Sequence, residues 1–140
     1  MILLSALLSI ATLHAQDLAR GEYLARAGSC RECHTVPGQP DFAGGAALVT
    51  PFGKFFPPNI TPDLETGIGK WTEEDFQRAL RFGISPQHKI YYPTFPYRAF
   101  TKITNDDMHS LFAHLRAQPG VVRQNRAHEL EAPFGQRWLL

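Results

Sequence analysis

With 140 residues the chain has room for one domain and not for two comfortable ones. Fourteen basic and thirteen acidic side chains leave a net charge of +1. No basic patch collects along the sequence, which speaks against a nucleic-acid partner. Two cysteines are too few for a four-thiolate structural zinc site.

The first fifteen residues carry no Asp, Glu, Lys or Arg. Their apolar stretch, Ile2 to Leu13, falls short of the roughly 20 residues that span a bilayer. Ala15 offers a small residue before a cut, and the polar Gln16-Asp17 follows, so residues 1–15 read as a secretory signal. The missing Lys or Arg near the start, and Leu13 at the third position before the cut, leave an uncleaved N-terminal anchor as the alternative. Asp17 to Ala27 reads as a first helix, with Asp17 as its cap and Leu18, Tyr23 and Leu24 facing inward.

Gly28 and Ser29 end that helix at Cys30-Arg31-Glu32-Cys33-His34. In c-type cytochromes a Cys-x-x-Cys-His run attaches haem. Thiols with two residues between them sit on one helical turn and reach the two vinyl groups of one porphyrin. The imidazole that follows lies under the iron as proximal ligand. Three other readings exist: a thioredoxin-like redox pair, half of a zinc site, or a Cys30–Cys33 disulfide. The first wants a βαβ context that the helical and loop-rich flanks do not provide. The second lacks further cysteines. The third gives His34 no role. Haem attachment outside the cytoplasm also agrees with a signal peptide.

Twelve of the 35 residues from Val36 to Lys70 are Gly or Pro, which excludes a long helix or a central strand. Phe42, Leu48, Val49, Phe52, Phe55, Phe56, Ile60 and Ile68 give the stretch too much apolar content for disorder. A loop wrapped around a flat apolar cofactor reconciles the two. Thr72-Glu73-Glu74-Asp75 is a helix start with a capping box; Phe76, Ala79 and Leu80 form one face and Gly83 is the stop. Thr104-Asn105-Asp106-Asp107 repeats the signal, and Met108, Leu111, Phe112 and Leu115 follow at helical spacing until Pro119-Gly120. No strand alternation shows. His109 and His114 lie off the apolar stripe, as surface residues do.

Several motifs now add up: Arg20 to Arg26 ahead of the haem run, Phe42-Ala43-Gly44-Gly45, Thr50-Pro51-Phe52-Gly53, and Pro58-Asn59-Ile60-Thr61-Pro62-Asp63. Glu65 to Trp71 and Asp75 to Leu80 continue the pattern. Together they resemble the cytochrome c subunits of membrane-bound bacterial dehydrogenases of the alcohol, gluconate, sorbitol and aldehyde type, and in particular their first haem domain. The resemblance implies an all-α fold: a small class I-like cytochrome c domain, with three main helices and long Gly- and Pro-rich loops around one covalent haem c. Residues 16–120 form that domain, and residues 121–140 resemble the linker to a second one. No second haem run follows, so the sequence reads as a one-haem relative or a piece of a longer protein, and the apolar Trp138-Leu139-Leu140 suits docking or truncation.

The family carries Met in a Tyr-Pro-Ala-Met-Pro-Tyr motif as the sixth iron ligand. Here Tyr92-Pro93-Thr94-Phe95-Pro96-Tyr97 places Phe95 at that position, and a phenyl ring cannot ligate iron. Met108 belongs to a helical core stripe. His88, seven residues before Phe95, is the candidate replacement. The resemblance thus implies an electron-transfer cytochrome in the periplasm, soluble or on the outer face of the membrane. Cys30 and Cys33 anchor haem and His34 ligates iron. Its partners are a dehydrogenase catalytic subunit and a downstream haem, quinone site or oxidase. The alternative is a haem protein with an open or modified distal site shaped by Phe95, either peroxidase-like or a gas or redox sensor.

Overall fold

A computed structural model describes residues 2–133, with side chains from Ala15 onward. The chain divides into two compact units, each assembled from two separate stretches. A helical unit takes the chain up to Gly28 and then Trp71–Gln118. A loop unit takes Ser29–Lys70 and the chain from Pro119 onward.

In the helical unit, α1 (Ile2–Ala27) crosses α4 (Asn105–Arg116) at Gly21. A Cβ on Gly21 would stand 2.0 Å from the Ser110 carbonyl oxygen and 2.5 Å from the His114 Cβ, so only hydrogen fits. Gly21 and Ala25 are buried there, while Leu18 and Leu24 are half-buried. Tyr23, expected inside, is 60% exposed, with the Arg20 guanidinium 5.3 Å from its ring centre. A close crossing selects small residues, so the contact stripe runs through Gly21 and Ala25 and turns Tyr23 outward. Asp17 is not a cap: α1 runs unbroken from Ile2, and the Asp17 carboxylate instead accepts a 3.5 Å bond from the Ser110 hydroxyl. The helix also passes through the cut expected after Ala15; the side chains of residues 2–14 lie outside those described. No helix among the described residues is long and apolar enough to cross a membrane.

Arg20 grips Asp107 in the first turn of α4 through two parallel bonds of 2.7 and 3.0 Å, and its hydrogen bond holds the Asp107 carboxyl below the usual carboxylate range. Met108, Leu111 and Leu115 are buried and Phe112 is half-buried, its ring 5.0 Å from that of Phe76. The third helix of this unit, α3 (Glu73–Phe82), starts with the expected reciprocal box between Thr72 and Asp75. It buries Phe76, Ala79 and Leu80 and ends at a left-handed Gly83 whose N–H bonds the Ala79 carbonyl. His109 of α4 reaches Glu73 of α3 at 2.9 Å.

The loop unit begins with α2 (Cys30–His34). It then forms a hairpin of β1 (Leu48–Thr50) and β2 (Gly53–Phe55), and β3 (Glu129–Leu130) pairs antiparallel with β2. Leu48 faces Phe55 and Thr50 faces Gly53; on the other side Lys54 faces Glu129. An all-α domain is therefore not what the chain adopts. Strands of two or three residues are too short for alternation to show, and β3 lies far along the chain from its partner.

Much of this unit is held by polar side chains. Asn59, 2% exposed, donates through its amide nitrogen to the Thr66 hydroxyl (3.0 Å) and the Val121 carbonyl (2.7 Å). Its amide oxygen accepts from the Thr61 N–H (2.9 Å) and hydroxyl (2.7 Å). The Thr66 hydroxyl donates to Asp63 (2.6 Å) and also accepts from the Arg123 N–H (3.0 Å), so its one donor and both lone pairs are used. Residues 121–125 are thereby fastened onto residues 59–66. Around them Phe42, Ala43, Phe55, Phe56 and Ile68 are buried, with the Arg126 guanidinium 3.8 Å over Phe56. Phe134 and the apolar Trp138-Leu139-Leu140 lie outside the described residues.

Candidate haem-attachment site

The two thiols and the imidazole of the Cys-x-x-Cys-His run share the single short helix α2. Cys30 and Cys33 are free thiols, the first half-buried and the second exposed. Burial pushes the Cys30 thiol up to about 11, helped by Cys33 and Glu32, so it stays protonated at neutral pH.

His34 Nδ1 lies 2.7 Å from the Pro58 carbonyl oxygen. A carbonyl can only accept, so Nδ1 carries the proton and Nε2 keeps a free lone pair. Burial lowers the His34 pKa, with the Pro58 carbonyl partly opposing it, and the ring is neutral near pH 7. A neutral imidazole with a fixed tautomer is what an iron atom requires of an axial ligand.

The loop after α2 holds it in place. The His34 carbonyl, left without an intrahelical partner, accepts from the Gly44 N–H at 2.9 Å. Gly45 comes so close that a Cβ would stand 1.7 Å from the Cys33 carbonyl oxygen. Phe42 takes a left-handed φ of 60° and donates its N–H to the Thr35 hydroxyl at 3.0 Å. Arg31 pairs with Asp41 at 2.8 Å. The Phe42-Ala43-Gly44-Gly45 motif, which carries no chemistry in the sequence, is thus the clamp on α2.

Two thiols on one turn and one imidazole with its Nε2 free match the donor set of haem c. Among the described residues no three or more His, Cys, Asp or Glu side chains converge as a chelating group. A haem needs only the one imidazole on this side.

The distal candidates belong to the helical unit. Phe95 is half-buried, its ring edge-on to Tyr91 (5.8 Å between centres) and 6.4 and 6.0 Å from Tyr97 and Phe100. A cavity of about 370 Å³ is lined by Phe95, Tyr97, Pro93, Pro96, Arg98 and Ala99. His88 is not among the ring neighbours of Phe95. It is exposed at the left-handed tip (φ 57°) of a turn closed by Ser85, whose carbonyl accepts the His88 N–H at 2.9 Å. Met108 is fully buried in α4. His109 is exposed and paired with Glu73, whereas His114, expected at the surface, is half-buried against Gly21. Pro58 and Thr61 gave no signal beyond the motif that contains them, nor did Thr66 beyond the Glu65 to Trp71 stretch or Asn125 beyond the linker-like tail.

Two thiols and an imidazole of fixed tautomer on one clamped helix are the groups a c-type cytochrome domain would use. No family model matches the chain. It is 47% identical over 126 residues to a nicotinate dehydrogenase component of Pseudomonas putida, covering 90% of this chain and 11% of that protein. It is 41% identical to the gluconate 2-dehydrogenase cytochrome c subunit of Pantoea cypripedii, covering 86% of this chain and 28% of that one. It is equally identical to a diheme cytochrome c-type protein of Cereibacter sphaeroides, covering 89% and 44%. Over most of its length, then, the chain is a homologue of the cytochrome c subunits of bacterial dehydrogenases. It spans less than half the length of each of these relatives.

Proposed function

We propose that this chain is an electron-transfer domain carrying one haem c, bound through thioethers to Cys30 and Cys33 and ligated by His34. The observation that carries the reading is the 2.7 Å contact to the Pro58 carbonyl from Nδ1 of His34, which shares one short helix with both thiols. The haem, when bound, supplies an iron that exchanges one electron between its ferrous and ferric forms. The chain's own part is to anchor, orient and tune. The thiols fix the macrocycle, Pro58 fixes the imidazole, and residues 41–45 hold the helix.

The relatives named as dehydrogenase subunits support a dehydrogenase catalytic subunit as electron donor. A further haem, a quinone site or an oxidase is the acceptor. The setting is the periplasm, soluble or at the outer face of the membrane, with residues 1–15 as the leader.

Expression in a host that attaches haem in its periplasm tests this. The mass of the product should exceed the polypeptide by one tetrapyrrole, and dithionite and ferricyanide should switch its visible bands. A colourless product of unmodified mass would overturn the reading. Edman sequencing starting at Gln16 would support the leader.

A second reading, an open distal position, is favoured by Phe95 standing where the family has Met while Met108 is sealed in the α4 core. Carbon monoxide binding to the reduced protein, with a high-spin spectrum before it, would select this reading. A low-spin spectrum indifferent to the gas would select the carrier.

A further inference from the structure

Pro58 and Asn59 share one peptide group, and both ends of that group are occupied. Its carbonyl accepts from His34 Nδ1 at 2.7 Å. Its N–H donates to the side-chain oxygen of Asn125 at 2.7 Å, from a residue 66 positions further along the chain. Asn125 is itself oriented, because its amide nitrogen donates to the Thr66 carbonyl at 3.0 Å. Asn59 cannot drift either, since its side chain is held by Thr61, Thr66 and Val121.

We infer that Asn125 is a positioning residue for the proximal iron ligand, acting on His34 through the Pro58–Asn59 peptide group; this rests on the haem reading above. An N–H that donates to a good acceptor shifts electron density onto its own carbonyl, and chained hydrogen bonds strengthen each other by about 10–30% per bond. A more basic Pro58 oxygen draws harder on the Nδ1 proton and makes the imidazole a stronger electron donor. A stronger donor favours ferric iron, so Asn125 lowers the potential of the bound haem. The segment that resembles an interdomain linker thus reaches the outer shell of the iron.

The test uses the full chain matured with haem. In Asn125→Ala the midpoint potential should rise. Exchange of the His34 Nδ1 proton in the ferrous protein should quicken by up to about twofold, the factor that weakening a bond of ordinary strength by about 10–30% supplies. Glu129→Ala is the control: it removes ion pairs of the same segment to Lys54 and Arg126 but leaves Asn125 intact, and it should leave both readouts unchanged. Equal potentials and exchange rates in wild type and Asn125→Ala would overturn the inference. So would a shift of the same size in Glu129→Ala, which would mark the segment as a mere strap. If Asn125→Ala does not mature, the wild type decides. The Asn59 amide proton should exchange among the slowest in the protein, and exchange at the rate of an exposed amide would overturn the relay. Absence of haem from the wild type would instead defeat the underlying reading.

Discussion

The two units of this chain are stabilised by different means. The helical unit buries Met108, Leu111, Leu115, Phe76 and Leu80 along amphipathic stripes, and its polar groups mostly serve helix ends and surface ion pairs. The loop unit buries Phe42, Phe55, Phe56 and Ile68, but its cohesion also comes from Asn59, Thr61 and Thr66, all nearly inaccessible and all hydrogen-bonded. The contrast teaches that a segment without regular structure can be fixed as firmly as a helix, provided every buried polar atom finds a partner. It also fits the role proposed for His34, because an axial ligand needs a single orientation and directional bonds supply one.

Four experiments would break or sharpen that contrast. Replacing Cys30 and Cys33 together by alanine should abolish covalent haem, read as loss of the mass increment and of the bands that survive denaturation. Met108→Ala should cost about 4 kcal/mol, a large methionine truncated in a closed core. Urea titration reads the cost, and amide exchange should quicken first in α1 and α4. Asn59→Ala should cost about 3 kcal/mol, because the hydroxyls and carbonyl it bridges lose their partners. Here exchange should quicken in residues 59–66 and 121–125. If both variants loosen the same amides, the two regions are not separate in energy.

The smallest effect concerns His109. Its hydrogen bond to Glu73 raises its pKa above the ordinary imidazole value. A raised pKa means stability that is fully present below about pH 6.5 and is lost as pH rises through the higher folded value. Wild type should therefore lose a little stability relative to His109→Gln between pH 6 and 8, and the pair is exposed enough for salt to weaken the difference. A difference that grows with pH would be the wrong sign for this pair.

The sequence made the helical unit legible where its rules are local. Thr72 with Asp75 and the spacing of Met108, Leu111 and Leu115 each lie within two turns, so caps and stripes could be read directly. Tyr23 and Asp17 misled because the crossing at Gly21 depends on a helix nearly 90 residues away. The Cys-x-x-Cys-His run could be picked out as directly, since its three candidate residues lie within five positions. Pro58, Asn125 and the strand Glu129–Leu130 were not, because their partners lie 24 to about 75 residues distant and no periodicity links them. The Gly- and Pro-rich composition spoke against long elements but was silent on pairing. It concealed both the small sheet and the amide network.

The joining of residues 59–66 to residues 121–125 also imposes an order on biosynthesis. A growing polypeptide emerges from its N-terminal end, so Cys30 and Cys33 appear long before Asn125 has been made. Until then, the Pro58–Asn59 N–H is left to water, and the loop must meet the entropy of closing more than 50 residues before it settles. On the proposed function, the hydrogen-bonded hold on the His34 imidazole is therefore completed last, after both thiols have emerged.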